Sequence, residues 1–124
     1  MKAVVIVAHG SRRQASNDEV RDLTNVIAKE ISNDYPIVET GFLELTEPQI
    51  PDAIISCINQ GATDVCIVPY FLSAGRHVQE DVPAEVNKAQ ELHRDIPMQT
   101  LTHIGGSPIM SDLIRQSLKN RDNS

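Results

Sequence analysis

The chain has no tryptophan, two tyrosines and two phenylalanines, so aromatics make up 3% of its 124 residues. Stacking platforms for single-stranded nucleic acid are built from such rings, and this chain lacks them. A formal net charge of −6 argues equally against a surface that tracks phosphate backbones. Cysteine is scarce too. Cys57 and Cys66 are nine positions apart, which is neither the close pairing of a zinc or redox motif nor a disulfide framework. Both read as buried free thiols, in keeping with a reducing cytoplasm. No apolar run approaches the length of a membrane span. The first one, Ala3–Ala8, is shorter than the apolar region of a secretory signal and has no cleavage site after it.

What the chain does contain is an alternation of short apolar runs and helical stripes. Runs at Ala3–Ala8, Ile37–Leu43, Asp64–Leu72 and Met98–His103 read as strands. The first and third are nearly continuous in apolar residues, the pattern of strands covered on both faces. Between and after them lie four stripes. Val20, Leu23, Ile27 and Ile31 form one, preceded by the capping-box pair Ser16 and Glu19. Ile50, Ala53, Ile54, Cys57 and Ile58 form the next, with Thr46 and Gln49 placed to cap it and Gly61 to close it. Val82, Val86 and Ala89 form a third, and Ile109, Leu113, Ile114 and Leu118 a fourth, opened by Ser107 and Pro108. The expected fold is α/β: a three-layer, open parallel sheet of about four strands with flanking helices, in one domain over residues 1–124. The polar tail, 120–124, is expected to fray.

In open α/β sheets ligands bind beyond the carboxyl ends of the strands, where strand order reverses. His9, Gly10, Ser11, Arg12 and Arg13 follow the first strand, Glu44 the second, and Gly75, Arg76 and His77 the third. With strand order 2-1-3-4, His9 and His77 flank one crevice. Two imidazoles and a carboxylate suit a divalent transition metal in a sparse, open site. His9 and His77 are therefore the candidate metal ligands and catalytic groups. Ser11, Arg12, Arg13, Glu44 and Arg76 are the candidate substrate contacts, since arginine forks grip carboxylates and phosphates. Plainer roles exist for each: a turn cap for His9, solvated surface for the arginines, a strand-end hydrogen bond for Glu44. His93 reads as surface, and His103 lies at the end of a strand away from the crevice.

Three stretches, VIVAHGSR, GFLELTEPQI and IVPYFLSAGRHVQEDVP, together resemble the short form of the class II tetrapyrrole chelatases. The resemblance runs over nearly the whole chain and implies a chelatase-like half-domain. It implies insertion of a divalent metal into sirohydrochlorin, a tetrapyrrole rich in carboxylates. Cobalt is favoured as the substrate metal, with iron and nickel as alternatives, and no cofactor is expected beyond it. The motif histidines of the family correspond to His9 and His77, as metal ligands and, for one of them, the acceptor of pyrrole protons. Glu44 matches the acidic position of the middle motif. Asp81-Val82-Pro83 stands where the family usually reads Asp-Ile-Pro. Longer relatives carry two such halves, so the resemblance also implies a homodimer; composition, charge and the lack of a long apolar run argue against nucleic acid or membrane as partner.

Two other readings use the same residues. A histidine phosphocarrier of a sugar-transport system would explain VIVAHG but leaves His77 without a role. A metal or tetrapyrrole carrier would bind the same ligands without accelerating insertion. A histidine phosphatase would need an arginine where Ala8 stands.

Overall fold

Residues 3–8 carry no polar side chain, and their β-branched members suit a pleated strand covered on both faces. In the computed structural model, which describes residues 1–123, this run forms β1 (Lys2–Ala8) and is buried from Ala3 onward. β1 pairs in parallel with β2 (Ile37–Phe42) on one side and β3 (Asp64–Pro69) on the other. β4 (Met98–Thr100) joins the far edge of β3, also in parallel, for the order β2-β1-β3-β4. The order expected for the crevice is thus realised, and strand order reverses between β1 and β3.

Helix α1 (Gln14–Glu30) connects β1 to β2, α2 (Ile50–Asn59) connects β2 to β3, and α3 (Val82–Leu92) connects β3 to β4. Helix α4 (Ile109–Asp122) follows β4. Right-handed crossovers put α1 on one face of the sheet and α2 and α3 on the other. The main core lies on the α2/α3 face, where Val5, Val7, Ile54, Cys57, Ile67, Val82 and Val86 cluster. Fully burying one such aliphatic side chain contributes about 1.5–3 kcal/mol. The alternate residues of β1, Val4, Ile6 and Ala8, point to the opposite face. There α1 contributes two buried polar residues, Asn17 and Thr24. Gly61, at φ +107, closes α2: its N–H donates to the Ile58 carbonyl, and that of Ala62 to the Cys57 carbonyl.

Several boundaries differ from the sequence reading. α1 begins at Gln14, so Ser16 lies inside the helix and forms no capping box with Glu19. Gln49 occupies the N-cap position of α2 without a side-chain cap, and the Thr46 hydroxyl instead accepts from Arg21 at 3.2 Å. β3 stops at Pro69 because, after Tyr70 N–H bonds to the Val7 carbonyl, the chain turns and Phe71 bonds back to Pro69. β4 ends at Thr100 rather than His103, where a 3-10 turn (Ile104–Gly106) soon follows. Residues 120–122 of the expected tail belong to α4, and Ser124 lies outside the described residues. The largest departure is α4 itself. Its stripe is real, but none of its residues is buried: Ile109, Leu113, Ile114 and Leu118 are each more than half exposed.

Candidate active site

The pairing of β1 with β2 does not stop with the strands. Leu43 N–H donates to the Ala8 carbonyl at 2.9 Å, and Glu44 N–H to the His9 carbonyl at 3.0 Å. These two bonds set Glu44 alongside His9 at the carboxyl edge of the sheet. His9 Nε2 then lies 2.8 Å from Glu44 Oε1. Gly10 permits the approach. It has φ +94, and a Cβ there would collide with the backbone carbonyl of Glu44. The room that glycine provides is taken up by the neighbouring loop rather than by a ligand.

His77 arrives from β3 by a different route. A π-helical turn, His77–Asp81, precedes α3, and Val82 N–H closes it onto the His77 carbonyl. Such wide turns are uncommon and concentrate at functional sites. Within it, His77 Nδ1 lies 2.8 Å from Asp81 Oδ2. The rings of His9 and His77 meet with centroids 4.5 Å apart and planes tilted by 54°. Each imidazole thus has its own carboxylate, and the two imidazoles face one another across the point where strand order reverses.

The site is open. The side chains of His9 and His77 are 42% and 50% exposed. Beside them runs a shallow cleft of about 180 Å³, lined by Leu43, Glu44, His77, Asp81, Ala84 and Glu85. Larger hollows lie elsewhere. One of about 240 Å³ runs along Arg21, Thr24 and Thr40, and one of about 390 Å³ holds His103 without any carboxylate. Neither combines an imidazole with a carboxylate. Among the described residues, no three His, Cys, Asp or Glu side chains form a ready metal cage. His9 and Glu44 are turned toward each other, so a metal arriving here meets two imidazoles in an open mouth.

The remaining candidates are distributed differently. The Ser11 hydroxyl accepts from Arg13 N–H at 3.0 Å, and the Ser11 backbone is clasped on both sides by buried Asn17, at 2.9 and 2.8 Å. Ser11 therefore shapes the start of α1. Arg12 and Arg13 are exposed and form no side-chain hydrogen bond or ion pair among the described residues. Arg76, also exposed, lies 3.4 Å from Glu80. Asp81 is the member of the site that the sequence reading left without a role. The signal for it was the four-residue spacing from His77, which puts both on one side of a helical turn. The thiols stay apart from the site: burial, then Glu39, pushes Cys57 up to about 12, and burial, then Asp64, raises Cys66.

Comparison with known proteins bears on the family and the fold. The CbiX family matches residues 3–121. A chloroplastic sirohydrochlorin ferrochelatase of Arabidopsis thaliana is 33% identical over 94% of this chain and 51% of its own length. A sirohydrochlorin cobaltochelatase of Methanocaldococcus jannaschii is 38% identical over 75% of this chain and 64% of its own. Among solved structures, the sirohydrochlorin chelatase SirB from Bacillus subtilis subspecies spizizenii, in complex with cobalt, superposes with a TM-score of 0.85. It is 28% identical, over 96% of this chain and 50% of that one. The chain spans between about half and two-thirds of the length of the first curated relatives it matches.

Proposed function

The chain belongs to the CbiX family, and from that footing we propose that it is a sirohydrochlorin chelatase that inserts a divalent metal into the tetrapyrrole, with residues 1–124 acting as one domain. The observation that carries the proposal is the His9–His77 pair, 4.5 Å between ring centroids at the switch point of the sheet. Insertion has to strip water from the metal, hold it against the macrocycle and remove two pyrrole protons. Neutral imidazole serves as the metal ligand and also as proton acceptor. Glu44, 2.8 Å from His9 Nε2, can take over a proton that His9 has accepted. The exposed guanidiniums of Arg12, Arg13 and Arg76, with Ser11 beside them, would meet the carboxylates on the rim of the macrocycle. Cobalt is the metal we favour, with iron and nickel as the competitors. Two-imidazole sites separate these ions weakly, and supply decides.

The site forms one wall only. A flat macrocycle needs a second, and the exposed apolar stripe on α4 supports a second copy of this chain as its source. The two free thiols support a reducing, cytoplasmic setting.

The test is the visible spectrum of sirohydrochlorin with cobalt(II), with and without the protein and its His9→Ala and His77→Ala variants. Wild-type protein should accelerate the spectral conversion, and each variant should lose on the order of 10²–10⁴ of that acceleration. Absence of acceleration by a folded protein would overturn the proposal. Repeating the assay with iron(II) and nickel(II) ranks the metals.

A further inference from the structure

We propose that Asp81 is a positioning residue: it accepts the Nδ1 proton of His77, fixes the ring's orientation and tautomer, and thereby leaves the Nε2 lone pair of His77 for the incoming metal. This deepens the chelatase reading and rests on it for the metal, though not for the tautomer. Three observations support it.

The first is the bond itself, His77 Nδ1 to Asp81 Oδ2 at 2.8 Å. An ionised carboxylate only accepts, so the hydrogen must lie on Nδ1. The neutral ring then carries its lone pair on Nε2, which has no partner among the described residues. The second concerns what Asp81 does not do. It occupies the N-cap position of α3, where an aspartate ordinarily accepts from the N–H groups of the first turn. Here it makes no side-chain cap bond, its backbone is helical (φ −76, ψ −39), and Pro83 has removed one of the donors. A carboxylate at a capping position is thus turned onto the imidazole instead. The third is the turn. The π-helical bond from Val82 N–H to the His77 carbonyl brackets residues 77–81 and keeps both side chains on the cleft, which they line together. Carboxylate–imidazole partners of this kind orient metal-binding histidines and are worth about 10–100-fold in metal affinity.

The decisive experiment reads the tautomer without metal. Two-bond ¹⁵N–¹H spectra of the imidazoles at pH 8 should show His77 protonated on Nδ1 in the full chain. In Asp81→Ala the proton should move to Nε2, the form that a free imidazole prefers. Asp81→Asn keeps an acceptor oxygen and should lie between the two, and its similar shape guards against loss of folding. Cobalt(II) titrated alone should then bind about 10–100-fold more weakly to Asp81→Ala than to wild type, with Asp81→Asn between them. In turnover, the loss should fall on kcat, while the KM for the tetrapyrrole stays within about twofold because Asp81 does not grip the macrocycle. A wild-type His77 protonated on Nε2, or an Asp81→Ala variant that binds cobalt as wild type does, would overturn the assignment. If the tautomer is as stated and wild type binds no cobalt, the chelatase reading fails and the positioning of His77 by Asp81 stands.

Discussion

Gly10 and Glu44 touch backbone to backbone: a Cβ on Gly10 would overlap the carbonyl oxygen of Glu44, and the φ of +94 at Gly10 is one that side chains rarely adopt. Two loops from neighbouring strands are held in register there, one carrying His9 and the other its carboxylate partner.

Gly10→Ala should therefore act on stability and chemistry together. The strained backbone and the collision should cost about 1–3 kcal/mol, read as a lower urea midpoint. Displacing the Glu44 loop should also pull the carboxylate away from His9 and slow the proposed metal insertion by about 10–100-fold. A Gly10→Ala protein with wild-type stability and rate would show that the contact is not needed.

The α4 stripe makes a separate expectation about assembly. Leu113 and Ile114 are 56% and 59% exposed, in a helix that buries none of its residues. Light scattering should give twice the 13.7 kDa chain mass for wild type, and a monomer for Leu113→Glu with Ile114→Lys. Far-ultraviolet circular dichroism should be unchanged, because no core residue is altered. A monomeric wild type at assay concentration would remove the homodimer.

The buried thiol gives a pH dependence whose sign is fixed. Burial lifts Cys57 from the ordinary value of 9.0 to about 12. Between those values the unfolded chain has lost the thiol proton and the folded chain keeps it. The stabilisation is thus complete below about pH 9 and is lost as pH rises toward 12. Unfolding free energy should fall across that window with a slope approaching about 1.4 kcal/mol per pH unit from this group. Cys57→Ala, less stable at pH 7 through the missing sulfur, should show a shallower slope. An equal slope in both proteins would refute the assignment.

Much of the arrangement was readable from residue order. The continuous apolar run of β1 marked it as covered on both faces, and so it is, whereas the similar run of β3 alternates between buried and half-buried residues. The placement of His9 and His77 just beyond these two strands brought both to one edge. Other features depend on contacts that periodicity does not encode. The stripe Ile109, Leu113, Ile114 and Leu118 shows that one face of α4 is apolar but not what covers it. The start of α1 depends on Asn17 reaching back to Ser11, six residues away, whereas the capping pattern drew attention to Ser16. Asp81 stands just ahead of the third apolar stripe, at a place where an aspartate can cap a helix start. Only the π-helical turn reveals that its carboxylate serves the imidazole instead.

The site is held by β1, β2, β3 and the start of α3, while the exposed stripe lies wholly on α4, past β4. The two share no residue. On the proposal that a second copy docks on α4 and supplies the facing wall, substitutions on α4 would change what faces His9 and His77 while leaving the contacts of Glu44 and Asp81 with the two imidazoles intact. The pairing of each imidazole with its carboxylate is thus internal to one chain, and only the wall opposite them would depend on a partner.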